Sequence, residues 1–268
     1  MLVIIKKKHQ ALLMLIILFV FLYATYNVHR SRFMRIIPEG KKIILLSFNI
    51  HYGISANKKS ALDEIAAFIL EVEPDIVALQ EVDRFWLRSL FIDQGKFLAE
   101  KTGMNYAYGP NIKSGISEFG NCILSKYPIE HVENIKMSSD KETRGLLIAK
   151  IRIKDILFTV LNTHLGLNSS ERLRHIKSYI LPYLQNNKGP IILAGDFNVE
   201  PGSSEVNFIN EEAKDTASIN KRSLVYTHPK TNKRIDYIFY VGITKLLSYN
   251  VIPLNLSDHY PILIEFEI

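Results

Sequence analysis

The sequence predicts an α/β domain of two packed sheets with helices on their outer sides. Strand-like and helix-like runs mix along residues 43–268 without the strict strand–helix–strand alternation of a doubly wound sheet. Several strand-like runs stand close enough to form hairpins. Apolar residues make up 47% of the 268, enough to fill a large core.

The strand-like runs are 43–50 (IILLSFNI), 75–80 (DIVALQ), 121–125, 145–153, 156–162, 190–195, 235–240 and 261–267. They are β-branched or apolar and bounded by turn residues. Residues 60–72 read as a helix capped by Ser60, with Leu62, Ile65, Ala66 and Ile69 on one face. A second helix spans 93–102 and opens at Asp93. A third spans 169–185, begins at Ser169 or Ser170, and carries Leu173, Ile176, Ile180 and Leu184 along one stripe. No repeat, low-complexity tract or Pro/Ser-rich break interrupts 43–268, which reads as one domain.

The amino-terminal region differs in kind. Residues 11–26 (ALLMLIILFVFLYATY) form an uncharged apolar run between Lys6-Lys7-Lys8 and the basic residues Arg30, Arg32 and Arg35. As a helix, the stretch to Val28 would span roughly 27 Å, slightly short of the ~30 Å hydrocarbon core of a bilayer. The competing readings are a cleaved signal peptide, a retained single-span anchor and a buried core helix. No small-x-small cleavage site follows Tyr23-Ala24-Thr25, and the run lacks a polar face, so the expectation is an anchor over 1–28. Residues 29–42 then form a basic linker. The short basic start leans towards the amino terminus inside and the large domain extracytoplasmic.

Charge follows the same division. Of 33 basic and 27 acidic residues, eight and one respectively fall in 1–42, which leaves 25 against 26 in 43–268. The formal charge of +6 therefore belongs to the tail, and the domain lacks the positive excess of a protein that lives by gripping a phosphate backbone. A single cysteine, Cys122, rules out a disulfide scaffold and a cysteine-rich zinc site.

The chemistry-bearing residues cluster at strand ends: Asn49 and His51, Gln80-Glu81-Val82-Asp83, Asn162-Thr163-His164, Gly195-Asp196-Phe197-Asn198, Asp236, and Ser257-Asp258-His259. Carboxylates, amides and two histidines gathered at the edges of two sheets make a site of hard oxygen donors. Such a site suits Mg²⁺, with Mn²⁺ as a substitute, far better than zinc. The implied reaction is attack of an activated water on a phosphate ester.

In these residues the sequence resembles the endonuclease/exonuclease/phosphatase superfamily, which includes DNase I, AP endonucleases, neutral sphingomyelinases and inositol polyphosphate 5-phosphatases. The motifs are SFNIHYG (47–53), LQEVD (79–83), GNCILS (120–125), NTHL (162–165), GDFN (195–198), RIDYIF (234–239) and SDHYP (257–261), in the family's order. The resemblance implies a four-layer α/β/β/α sandwich of two mixed sheets with the site at one end. It also implies roles. Glu81 would ligate the metal beside Asn49, with Asp258 completing the metal side. Asp196 would orient or deprotonate the attacking water, and Asn198 would hold a phosphate oxygen. His259, oriented by Asp236, would bind the scissile phosphate and relay a proton. His164 matches the histidine of DNase I-like and sphingomyelinase-like members, where AP endonucleases have tyrosine. Cys122 replaces the small residue usual in GNAILS and reads as a buried core thiol.

Three further residues are candidate substrate contacts, each with a plainer alternative. His51 touches substrate or caps the site. Glu118 orients His164 or is a solvated acid. Arg144 approaches a substrate phosphate or is a surface charge. Asp83 reads as a surface acid. The run Phe85-Trp86-Leu87 with Leu90-Phe91 reads as packing under a loop, or as an apolar rim for dipping into lipid.

The expected function is a membrane-tethered, metal-dependent phosphodiesterase acting on phosphate esters, lipid head groups among them. A nuclease acting on nucleic acid is the alternative. A catalytically silent interaction protein is a further one, disfavoured because the full set of catalytic groups is present. No protein partner is implied.

Overall fold

A computed structural model describes residues 41–268 apart from Asp140, Asn187, Lys188 and residues 221–224, and apart from the side chains of Ile219 and Asn220. The expected anchor over 1–28 and nearly all of the linker over 29–42 lie outside the described residues. Among the described residues no helix is long and apolar enough to cross a membrane.

Among the described residues, twelve strands form two six-stranded mixed sheets. The first sheet runs β11-β12-β1-β2-β4-β3, with β1 Lys42–Asn49, β2 Ile76–Arg84, β3 Asn105–Ser114, β4 Ser117–Ser125, β11 Lys245–Val251 and β12 Ile262–Glu267. The second runs β5-β6-β7-β8-β10-β9, with β5 Ile129–Met137, β6 Arg144–Ile153, β7 Ile156–His164, β8 Ile191–Asp196, β9 Lys214–Asp215 and β10 Asp236–Val241. Each sheet has one central parallel pair, β1/β2 or β7/β8, flanked by antiparallel neighbours. This is the expected four-layer architecture.

The layers follow from side-chain alternation along each strand. In β1, Leu45 faces the other sheet, packing with Ile76, Ala149, Val160 and Ile238. Its neighbour Leu46 faces outward, into a cluster with Ile65 and Ile69 of α1 (Leu62–Val72) and Leu98 of α2 (Gln94–Thr102). On the far side, the second sheet buries Leu161 and Leu193 against Ile176, Ile180, Leu184 and Val206. Those last residues come from a π-helical turn (Ile176–Ile180) that continues α3 (Ser169–His175), from α4 (Leu181–Asn186) and from α5 (Ser204–Asn210). Strands buried on both faces read as continuous apolar runs, which is why the central ones stand out in the sequence.

Asp93 caps α2 as expected, accepting a hydrogen bond from the Lys96 N–H at 3.0 Å. Two caps differ. Asn168, one residue earlier than expected, caps α3 by accepting from the Glu171 N–H at 3.1 Å. Ser60 bridges to Ile54 instead of capping α1. Strands β3, β5, β9 and β11 and helix α5 were not anticipated. Cys122 is fully buried in the outer core of the first sheet, and burial pushes its thiol up.

Near one end of the sandwich, polar groups replace hydrocarbon between the sheets. Asn162 of β7 donates through Nδ2 to the carbonyls of Leu79 (2.8 Å) and Cys122 (2.9 Å) in the first sheet. Its Oδ1 accepts from Gln80 Nε2 at 2.8 Å. Asn121 of β4 donates back to the Gly145 carbonyl of β6 at 3.1 Å. Asn162→Leu removes three such bonds between the buried sheet faces. It should destabilise the domain by about 3 kcal/mol, measured as a lowered denaturant midpoint at unchanged slope; an unaltered midpoint would show that the amide is dispensable.

Candidate active site

The carboxyl ends of the central parallel strands converge. Asn49 ends β1, Glu81 lies near the end of β2, His164 ends β7 and Asp196 ends β8. Asp236 starts β10 directly opposite Asp196, and Asp258 and His259 arrive on the loop before β12.

Local backbone devices aim these groups. The β2/β4 register slips between Leu79 and Val82, and Glu81 takes a left-handed conformation with φ 56°. Asn198 does the same at φ 51°, a conformation asparagine tolerates. At Gly195 any Cβ would overlap the Thr163 carbonyl of β7, so only glycine lets β8 run this close before delivering Asp196.

Asn49, fully buried, bridges the two sheets' carboxylates. Its Nδ2 donates to Glu81 Oε1 at 3.0 Å and to Asp196 Oδ2 at 3.2 Å. Its Oδ1 accepts the His51 N–H at 3.0 Å. Asn49, expected as a metal ligand beside Glu81, holds Glu81 through its amide nitrogen, while its oxygen accepts one bond from its own loop. Burial raises the Glu81 carboxyl above its ordinary range, against the Asn49 hydrogen bond. Burial, with the charges of Asp236 and Glu81, pushes Asp196 up to about 7 despite His259 and the Asn198 N–H.

The two buried histidines of the site differ in state. His259 Nδ1 lies 2.8 Å from Asp236 Oδ2, and its Nε2 is 3.7 Å from Asp196 Oδ2. Burial opposes its charge, but Asp236 and Asp196 outweigh that and push it up to about 10. His164 is held well below the usual imidazole range by burial, reinforced by the neighbouring Arg144 and His259. Arg144 Nη1 lies 3.2 Å from His164 Nδ1. The same Nη1 lies 3.4 Å from His164 Nε2, which in turn is 3.5 Å from Asp196 Oδ2.

The remaining candidates divide. Asn198 donates its backbone N–H to Asp196 Oδ1 at 2.9 Å and its amide to the Leu165 carbonyl at 2.9 Å. The His51 ring is tilted 55° against Tyr52 with centroids 4.2 Å apart, and its Nδ1 is 3.7 Å from Asp258 Oδ1. Arg144 is 7% exposed and lines the cleft, so it is not a surface charge. Two expectations are corrected. Glu118 does not orient His164: it pairs with Lys113 at 2.7 Å and Arg84 at 3.2 Å, which hold its carboxyl low against the effect of burial. Asp83 is fully buried rather than on the surface, gripping Arg88 through both oxygens at 2.7 and 2.8 Å. The run after it splits: Trp86 turns into the cleft while Leu87, Leu90 and Phe91 are exposed. His228, which sequence reasoning missed, packs edge-on against His259 at 4.8 Å. It sits in a loop without periodic pattern and offered no signal.

Of these groups, Glu81, Arg144, His164, Asp196, Asn198 and His259 line a cleft of about 490 Å³. Its reactive wall is rich in carboxylates, and burial with mutual repulsion raises Glu81 and Asp196 despite the nearby histidines. Hard oxygens in electrostatic excess fit a divalent cation. Ligand atoms of Asp196, Asp236 and His259 lie within 4.8 Å of one another, as do those of His228, Asp258 and His259.

Comparison with known proteins points the same way. Residues 46–259 match the sequence profile of the Endonuclease/Exonuclease/phosphatase family. YbhP of Escherichia coli (strain K12), an uncharacterized protein, is 34% identical over 166 residues, 58% of this chain and 66% of YbhP. The chain therefore spans slightly under two thirds of that relative's length. An endonuclease/exonuclease/phosphatase structure from Beutenbergia cavernae superposes with a TM-score of 0.70 at 20% identity, covering 85% of this chain and 72% of that one. A humanized D. rerio TDP2 superposes at 0.68 with 19% identity, covering 85% and 99%. At these identities the two structures establish the shared fold. With the profile spanning most of the chain, the protein belongs to the endonuclease/exonuclease/phosphatase family, a family of metal-dependent phosphoric ester hydrolases.

Proposed function

We propose that the chain is a Mg²⁺-dependent phosphodiesterase, with Mn²⁺ able to substitute. The observation that carries this reading is the Asp236–His259 pair at 2.8 Å standing beside Asp196, which shares Asn49 with Glu81. Glu81 and Asp258 would hold the divalent cation, which supplies positive charge where the phosphate gains negative charge. Asp196 accepts the attacking water's proton at Oδ2. His259 donates from Nε2 to a phosphate oxygen, while Asp236 holds its Nδ1–H and keeps the ring cationic. His164 stays neutral beside Asp196. Arg144 is placed to meet a phosphate oxygen, and Asn198 fixes the Asp196 carboxylate through its backbone N–H.

Tethering through residues 1–28, with the domain extracytoplasmic, belongs to this proposal and is supported by the apolar run 11–26 and its basic flanks. Lipid head groups as substrate are supported by that run and by the near-neutral charge of 43–268. The second reading, a nuclease, is favoured by the aromatic lining of the cleft beside Arg144. Plasmid nicking by the full chain in Mg²⁺, with His259→Ala as the blank, separates them. Nicking that vanishes in the variant selects the nuclease. Hydrolysis of small diesters without nicking selects the lipid-directed enzyme, and hydrolysis of neither rejects both.

His259→Ala should fold normally and lose about 100-fold or more in turnover; wild-type rates would overturn the mechanism. Glu81→Gln relieves a buried carboxylate while removing a cation ligand. It should melt a few degrees higher than wild type in chelator, yet lose the stabilisation that Mg²⁺ gives the wild type. Asp236→Asn bears on the pH profile. His259 must be protonated to act, so activity falls as pH rises through its pKa. Removing the Asp236 charge lowers that pKa, and the alkaline limb should move to lower pH. An unmoved limb would detach His259 from it.

A further inference from the structure

The Glu81 end of the cleft rests on two stretches of left-handed backbone. Glu81 sits in the register slip between Leu79 and Val82 with φ 56°. Just past Asn49, residues His51, Tyr52 and Gly53 take φ 45°, 44° and 72°. Residues with side chains rarely adopt this region, so the surrounding structure must hold both stretches in place. The Asn49 amide joins them once, accepting the His51 N–H and donating to Glu81.

A second amide joins the same two stretches. Gln94, 2% exposed in the first turn of α2, accepts the Asp83 N–H through Oε1 at 2.9 Å, two residues beyond Glu81. Its Nε2 donates to the Tyr52 carbonyl at 2.7 Å. The fit is tight: a Cβ at Gly53 would stand 2.8 Å from that nitrogen. Gln94 is itself anchored by Asp93, which caps α2 and pairs with Arg84 at 2.8 Å. Tyr52 and Glu81 line the cleft, whereas Gln94 is not among the described residues that do. Its two partners are one donor and one acceptor. An amide serves both without adding charge beside Glu81.

We propose that Gln94 is a positioning residue for the divalent cation: by fixing both stretches it sets the Glu81 carboxylate for binding. The inference rests on the reading above of Glu81 and Asp258 as cation ligands. Small hard cations demand near-ideal geometry from their oxygen donors. Without the Gln94 amide, Glu81 keeps its Asn49 bond, but its backbone relaxes from the left-handed conformation and the ion must reorder the ligand as it binds. The loss therefore falls on cation affinity. Asp196, Asp236 and His259 are carried by β8, β10 and the loop before β12, so the acid–base groups stay in place.

The test titrates the full chain with Mn²⁺ alone and follows the free ion by its electron paramagnetic resonance signal. Gln94→Met keeps the bulk of the side chain and removes both hydrogen bonds. Its Kd for Mn²⁺ should rise by roughly tenfold, or 1.4 kcal/mol. Leu184→Ala, a truncation in the core beneath the second sheet, should lower the melting temperature and leave that Kd unchanged. In kinetics, the Mg²⁺ concentration for half-maximal rate should rise with the Mn²⁺ Kd in Gln94→Met, while kcat at saturating Mg²⁺ stays within about twofold. A folded Gln94→Met with the wild-type Kd would overturn the proposal, and so would an equal rise in Leu184→Ala. Gly53→Ala is a second variant that leaves Gln94 in the chain: its methyl group crowds Nε2 and should weaken Mn²⁺ in the same direction. A wild-type Kd there, in folded protein, also counts against Gln94. Mn²⁺ uptake by the wild type with unchanged affinity in the variants rejects the positioning role alone. A wild type that takes up no Mn²⁺ rejects the cation site, and the positioning role with it.

Discussion

The arrangement at the reactive end depends on amide side chains that hold two apolar sheets together where hydrocarbon gives way to charge. Along most of the sandwich the sheets meet through Leu45, Ile76, Val160, Ile192 and Ile238, contacts without direction. One layer further on, Asn162 and Gln80 replace them with hydrogen bonds that fix spacing and register. Beyond that, Asn49 ties a carboxylate of each sheet to one amide. Buried polar groups cost stability unless fully paired, so this end tolerates few other arrangements. The relative position of Glu81 and Asp196 is therefore a consequence of how the sheets are fastened.

The same confinement decides protonation. His164 and His259 are both nearly sealed from water and both lie near Asp196, yet one is neutral and the other cationic. Burial alone would neutralise both. The difference lies in the neighbouring charge: Arg144 beside His164, and the carboxylates of Asp236 and Asp196 beside His259. Asp196 sits between them, raised towards neutrality by its own burial and by Asp236. A base, a charged donor and a neutral donor thus arise from residues whose solution pKa values would not sort them this way.

What the sequence reveals follows from burial. Strands β1, β2, β7 and β8 are covered on both faces and read as unbroken apolar runs, and their polar terminal residues stand out against them. Strand β5 (IEHVENIKM) lies at a sheet edge with most side chains half or fully exposed, and β3 carries Gly109 and Pro110, so neither shows a strand pattern. Asp83 and Glu118 were misread for a different reason. Each is paired by a residue that only the folded chain brings near: Arg88 by the turn at Phe85, and Lys113 and Arg84 by strand register. Spacing along the chain carries no trace of such partners. Arg144 was ambiguous because its neighbour His164 is contributed by the adjacent strand.

Strain gathers at the same end as the unpaired charge. His51, Tyr52, Glu81 and Asn198 all take left-handed backbone conformations around the cleft, and so do Phe85, Leu90 and Phe91 in the loop beside it. Such residues cost of order 1–3 kcal/mol each, and raised carboxylates add to that cost. Three continuous apolar layers elsewhere in the domain offset it. Relieving the strain residue by residue would make the metal-free protein more stable and the cleft less able to receive a cation and a phosphate. What keeps the cleft in this shape is therefore the rest of the sandwich, acting on residues that would relax if left to themselves.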